Sequence, residues 1–468
     1  MDLIFYALVG VAFLIAIGNW KAGLYAVVVL DILRDPVRKV VEGQPALITV
    51  SVALVWGAVF LGAIQHNRRE VLAVFRLFPK LRPAARLFVA ALIPGAVLSL
   101  VLYSGGWRLA FIGTASYLGP MLGFAIGFAL AGDQRELYRF MTFFTVLNSI
   151  AMLGTLAEFN GMDWPILGGM NFEWIRHRPG VIIRLISGVY RSPDIMGIHA
   201  AHVCMFSALL AIRPRSQSRW IWIGLAAWGA ICLVLGGRRK SIGMPVVFLA
   251  SYYLIGAWRG AAHSPRFARL LVAGMLVGGV AYMLNRETDV SDAHLDYAGS
   301  LFTEGVQRSN ELIGGSIFST LNQSGMLGAG LGSATQGRQH VMDGSGPRAW
   351  QEDGGSRLFM ELGIFGVALL VLAAIGFLQT AIAALRSVPV GHPLQLLQIG
   401  VTAVVLANLA SFLISHQQYS GDPAFGVMVC MFVGFILSCP LSRELGWYQP
   451  ASVGRRRWAA ARGDESGP

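Results

Sequence analysis

Between two apolar stretches the chain reads LVLGGRRKSIG, Leu233 to Gly243, with Arg238, Arg239 and Lys240 side by side. Guanidinium groups offer fixed forks to phosphate oxygens. Cations aimed at the charge developing on a phosphate leaving group lower the barrier to displacement at a sugar carbon. Arg184 and Arg191 form a second basic set in GVIIRLISGVYRSPDIMG, and Arg308 adds a third in TEGVQRSNELIGG. Acids follow in WQEDGGSRLFMELGIFG, where Glu352 and Asp353 precede an apolar run and Glu361 falls inside it. A carboxylate at a membrane surface can accept the proton of a sugar hydroxyl as general base. Each candidate also has a plainer reading. The cations could be snorkelling interfacial side chains, Glu352 a helix-start acid favoured by the dipole, and Glu361 the partner of an arginine inside the bundle. His340 and His416 rank below Glu352, because a lone loop histidine carries little information; His340, Asp353 and Glu361 stand as reserve candidates. No D-x-D pair or His/Asp cluster has obvious metal spacing, so neither a metal nor a cofactor is expected.

The elements that must position these residues are membrane helices. Of the residues, 55% are hydrophobic and 13% charged, where soluble domains carry about 25% charged. Separate apolar runs of roughly 16 to 25 residues recur, the length that crosses a hydrocarbon core as a helix. They do not alternate, so a closed barrel is not expected. Spans are expected at 2–18 and 21–34 (one or two short helices), 47–64, 85–104, 109–131, 138–157, 194–213, 219–236, 241–257, 267–285, 357–385, 396–415 and 424–441. The expectation is an all-α polytopic bundle of about 12 transmembrane helices in a single membrane domain, 1–468. The first residues show neither a basic leader nor a small-residue cleavage site, and read as a retained span. Cys204, Cys232, Cys430 and Cys439 fall in or near apolar spans and read as small buried hydrophobes.

The formal net charge is +12. It is scattered over many loops, which fits cytoplasmic Lys/Arg and gives no nucleic-acid signature. The basic segments are 65–87, RPRSQSR after 213, the linker holding Arg259, Arg266 and Arg269, and a basic tail, 443–468. All fall on one side when the spans are counted, and that side is read as cytoplasmic. The loops 105–108, 158–193, 286–356 and 416–423 then lie outside, the third being a large extracytoplasmic loop with short helices. Arg238, Arg239 and Lys240 also fall outside and break the positive-inside trend, as do the basic residues of 158–193 and those around Arg38 and Lys39. An anionic ligand would offset that topological cost. In the long loop Leu301, Phe302, Val306, Leu312, Ile313, Ile317, Phe318 and Leu321 recur at helical spacing, and GMLGAGLGSATQG follows as a glycine-rich turn.

Three features together resemble the bacterial O-antigen ligase and O-antigen polymerase-like membrane proteins. GVYRSPDIMG, Gly188 to Gly197, is similar to that family's opening of a span. LGGRRKSIG is similar to its basic stretch between two spans. GMLGAGLGSATQG followed by WQEDGGSRLFMELGIFG is similar to its glycine-rich loop and the span that follows. Order and spacing match over about residues 180–370; the first 150 match in hydropathy alone.

The resemblance implies a multi-span fold with a large periplasmic loop, in the inner membrane of a bacterium. It implies metal-independent glycosyl transfer from an undecaprenyl-pyrophosphate-linked glycan, with the active site on the extracytoplasmic side. By position, Arg191, Arg239 and Arg308 match the basic residues best, with Arg238 and Arg184 as close substitutes and Lys240 beside them. The ligase branch usually has His where this chain has Glu352, which favours a polymerase joining lipid-linked repeat units. On this reading Glu352, Arg239 and Arg308 are catalytic, Arg191, Arg238, Arg184 and Lys240 hold the pyrophosphate, and Tyr297 and Trp350 could stack on sugars. Partners would be the lipid-linked glycan, membrane lipids and a regulator of chain length. The rivals are a ligase acting on lipid A core or another acceptor, a transporter of an anionic lipid or solute, and a non-catalytic assembly subunit.

Overall fold

A computed structural model of the chain describes residues 2–170, 173–178, 181–213, 218–261, 315–340, 351–420, 422–443 and 445. Helices come first: α1 Asp2–Gly18, α2 Trp20–Val40, α3 Leu47–His66, α4 Arg68–Leu77, α5 Leu81–Leu102, α6 Gly106–Ala129, α7 Gln134–Ala151 and α8 Leu153–Phe159. A two-stranded antiparallel ribbon follows, β1 Ile175–Arg178 and β2 Val181–Arg184, with Ile175 opposite Arg184. Then come α9 Pro193–Ile212, α10 Arg219–Gly236, α11 Arg239–Trp258, α12 Ser316–Ser324, α13 Gly354–Ser387, α14 Pro393–Ile414, α15 Gln417–Ser420 and α16 Pro423–Ser438.

Among the described residues, 10 helices are long and apolar enough to cross a membrane: α3, α5, α6, α7 with α8, α9, α10, α11, α13, α14 and α16 with the turn after it. At 1.5 Å per residue, about 20 residues cover a hydrocarbon core of roughly 30 Å. The chain is thus a multi-pass helical membrane protein. α1 is apolar but shorter, and α2 is absent from the set because it carries Lys21, Asp31, Arg34, Asp35, Arg38 and Lys39. The span expected at 267–285, Tyr297, Arg308, Trp350, most of the 286–356 loop and nearly all of the 443–468 tail lie outside the described residues.

Three stretches differ from the sequence reading. The basic segment 65–87 contains α4, whose Val71, Ala73 and Val74 are buried while Arg68, Arg69 and Arg76 are exposed. Apolar spacing of three on a strongly charged segment is a surface-helix pattern that a search for spans passes over. α2 continues beyond residue 34 to Val40, because its charges pair within the fold. The loop 158–193 folds partly as the β1–β2 ribbon, where buried Ile183 packs with Leu185 and Trp174.

The described residues pack as two compact units, each built from separated stretches of chain, which no local composition change marks. The first draws on 1–62, 134–305 and 399–411, the second on 63–133, 306–398 and 412–468. α9 is the core of the first: every residue from Pro193 to Ala211 is buried, against α7, α10 and α11. In the second, α5 packs on α6 and α13, and α6 packs on α16.

Candidate functional site

In the first unit the chemistry gathers at the start of α9. Ser192 is the N-cap, its hydroxyl accepting from Ile195 N at 3.4 Å, and Pro193 takes the first helical position, where its missing N–H costs nothing. Asp194 follows in the first turn, where the helix dipole favours an acid. Its buried carboxylate pairs with both Arg238 and Lys240, the latter at 2.7 Å. These cations reach it because Gly237, in the left-handed conformation (φ 57°), ends α10 and turns the chain into α11 with Arg238 as its N-cap. The Arg238 guanidinium also lies 4.9 Å from the Trp174 ring centroid. Arg239, the first residue of α11, is partly exposed.

Arg191 immediately precedes the cap. Asp35 of α2 accepts from the Arg191 backbone N–H at 3.1 Å and from its guanidinium at 3.4 Å. Asp35 also lies 3.8 Å from Arg34, which pairs with Asp31 at 2.8 Å; His199 stands 3.5 Å from Asp31. The segment before Arg191 is held by Glu158, which accepts from Ser187 N at 3.0 Å and Gly188 N at 2.6 Å. Lys39 donates to the Ile166 and Gly188 carbonyls at 3.0 Å each. Arg184, half exposed on β2, lies 3.6 Å from Glu173 and 4.0 Å from Glu158. Arg34 and Arg191 thus meet Asp35, Arg184 lies beside Glu173 and Glu158, and Arg238 and Lys240 meet Asp194.

The structure therefore places Arg238 and Lys240 on Asp194, and Arg191 on Asp35, two clusters built on acids that the sequence reading does not select. The signal for Asp31, Arg34 and Asp35 is present in the sequence: three charges within five positions directly after the apolar run of α2 are rarely idle. Glu158, at the end of a span, is the same kind of clue.

In the second unit Glu352 is exposed, on a backbone fixed from several sides. The Gln351 carbonyl accepts from His416 Nε2 at 2.8 Å, so that nitrogen carries the ring proton, and the Glu352 carbonyl accepts from His416 N at 3.2 Å. Thr320 of α12 donates to the Gln351 side chain at 3.0 Å. Asp353 is the N-cap of α13, accepting from Ser356 N at 2.7 Å and from the Ser316 hydroxyl at 2.6 Å. The Glu352 carboxylate is thus solvated on a backbone held in place from several sides. His416, passed over as a loop histidine, is buried and belongs to that mount.

Glu361 pairs with Arg357 at 3.2 Å, and both are buried. Its other oxygen accepts from Ala334 N at 3.1 Å and Thr335 Oγ1 at 2.9 Å. The second part of the glycine-rich turn is thus buried, with Leu331, Ser333, Ala334 and Thr335 inside, while Met326 and Leu327 at its start are exposed. It passes so close to α6 that a Cβ at Gly332 (φ +87°) would lie 2.4 Å from the Leu109 carbonyl oxygen. Gly363 (φ 66°, ψ −176°) breaks α13 where this turn packs against it, and Ile364 N donates to the Met326 carbonyl at 2.9 Å. Nothing is described of the side chain of His340, which ends the short helical turn Gln336–His340.

No protein-family model and no curated protein matches this chain.

Proposed function

We propose that the protein is a polysaccharide polymerase of a bacterial cytoplasmic membrane, working on the extracytoplasmic side with 286–356 as its large outer loop. The growing glycan on one undecaprenyl pyrophosphate is transferred to a sugar hydroxyl of a second lipid-linked repeat unit. The bond from the anomeric carbon to the phosphate oxygen breaks, and the lipid pyrophosphate leaves with its electron pair. The acceptor oxygen bonds to the anomeric carbon and its proton passes to Glu352. One displacement with one base inverts the anomeric centre.

The observation that carries this reading is the joining of Arg238 and Lys240 on Asp194, with Arg191 three residues before that acid. Arg191, Arg238, Arg239, Arg184, Lys240 and Arg308 hold the pyrophosphate and stabilise the charge that grows on it, without a metal. Glu352 fits the base because it is exposed on a fixed backbone. The partners are lipid-linked glycan, membrane lipids and a regulator of chain length.

The test is complementation in a host deleted for this gene, with glycan sized on a gel at matched membrane levels. Arg239→Ala, Arg308→Ala and Glu352→Gln are each expected to accumulate single repeat units on the carrier. Long polymer retained on the carrier identifies a ligase instead, and unchanged polymer in all three overturns the reading.

A transporter is the second reading, because α13 is broken at Gly363 beside the buried Arg357–Glu361 pair, and broken helices with buried charges mark transport sites. Ala334, Thr335 and Ser116 already engage that pair, which favours a structural role. Movement of labelled lipid-linked glycan across liposomes without new glycosidic bonds would support the transporter.

A further inference from the structure

We infer that Asp35 is a positioning residue that aims the Arg191 guanidinium at the donor pyrophosphate; the inference rests on the function proposed above. Asp35 is 1% exposed, in a helix whose other buried positions are mostly apolar. A carboxylate is costly to bury unless paired and hydrogen-bonded. Both oxygens of this one reach Arg191: Oδ2 takes its backbone N–H at 3.1 Å, and Oδ1, also 3.8 Å from Arg34 Nε, takes its guanidinium at 3.4 Å. Backbone and side chain of Arg191 are therefore fixed together, from a helix residue 156 positions away in sequence.

The other contacts of this segment separate aiming from folding. Glu158 holds the Ser187 and Gly188 amides, and Lys39 holds the Gly188 carbonyl. The Tyr190 hydroxyl donates to Asn148 Oδ1 at 2.9 Å, and Met170 N donates to the Arg191 carbonyl at 2.9 Å. The course of residues 187–190 is thus held by groups other than Asp35. What Asp35 adds is a joint hold on the Arg191 backbone and guanidinium. Arg34 lies 3.8 Å from Asp35, with Asp31 beyond it, and Arg38 and Lys39 also feel the Asp35 charge, so the carboxylate is shared between a buried arginine that stays in place and one that meets substrate. Residues of this type are invisible to motif reading, because they touch the ligand only through another side chain.

The experiment is a double-mutant cycle on purified full-length protein in detergent, reading affinity for geranylgeranyl pyrophosphate as a donor probe. Arg191→Ala is expected to weaken binding about 30-fold or more, the scale for truncating one member of a hydrogen-bonded charge pair. Asp35→Asn alone is expected to weaken it about tenfold, and to add less than about twofold in the Arg191→Ala background, the mark of acting through one residue. Loss by the same factor in both backgrounds would overturn the inference, since that is how a merely structural role behaves. Should Asp35→Asn fail to fold, Asp35→Glu retains the buried charge, and its effect must likewise vanish when Arg191 is alanine. If Arg238→Ala weakens the probe while Arg191→Ala and Asp35→Asn do not, the pyrophosphate reading survives and the Asp35 assignment fails. If none of the three changes affinity, both fail.

Discussion

Arg357 and Glu361 stand one helical turn apart on α13, joined at 3.2 Å with both side chains buried. The pair is a buckle. Glu361 takes Ala334 N and Thr335 Oγ1 of the glycine-rich turn, while Arg357 donates to Ser116 of α6 at 2.8 Å and lies 5.0 Å from the Tyr117 ring centroid. Glu361→Ala would leave a buried guanidinium uncompensated, which costs about 3–5 kcal/mol. The expected outcome is a clear fall in the melting temperature of the purified protein, with a smaller fall for Glu361→Gln. Unchanged melting for both variants would show that the buckle carries no load.

The sequence made the membrane helices legible because their apolar length is a physical requirement of the bilayer. The expected span 47–64 and the observed Leu47–His66 differ by two residues. Gly188, Pro193 and Gly197 likewise punctuate the entry to α9, and the structure adds Ser192 as its N-cap. Pairing across long stretches of chain was not legible. Nothing near Asp35 says that it meets Arg191, and nothing near His416 says that its ring meets the Gln351 carbonyl. The glycine-rich turn is legible as a turn but its packing is not: positive-φ glycines suit a solvated turn and a buried one equally, and Gly332 is needed here for close approach to Leu109. Of the acids in WQEDGGSRLFMELGIFG, Glu361 reads as unusual because it lies inside an apolar run, as a reserve site residue or the partner of an arginine, and the structure pairs it with Arg357.

Lys39 makes stability depend on pH. Burial pulls its ammonium down to about 8, against the opposing pull of the Asp35 and Glu158 carboxylates. An unfolded lysine titrates near 10.4. Below about pH 8 the buried charge is fully present and its penalty opposes folding. Between about 8 and 10 the unfolded chain binds more protons than the folded one, so stability rises with pH through this window. Lys39→Gln removes the titration. The melting temperature of wild type relative to Lys39→Gln is expected to climb from pH 8 to pH 10, and a flat difference would contradict the assignment.

Glu352 and Asp353 are neighbours with opposite expected signatures. Asp353 is buried and its side chain caps α13, so Asp353→Ala should cost about 1 kcal/mol of stability. The transfer rate per folded molecule should hold nearer to wild type, since the variant removes a cap and leaves the proposed base. Glu352 is exposed, and its structural contribution runs through its backbone carbonyl, which accepts from His416 N. Glu352→Gln keeps that bond and should leave melting unchanged while lowering transfer about 100-fold to 10,000-fold, the range for a lost general base. Melting curves and single-turnover transfer, measured on the same preparations, separate the two. If Asp353→Asn lowers transfer as far as Glu352→Gln without shifting the melting temperature, the base has been assigned to the wrong carboxylate.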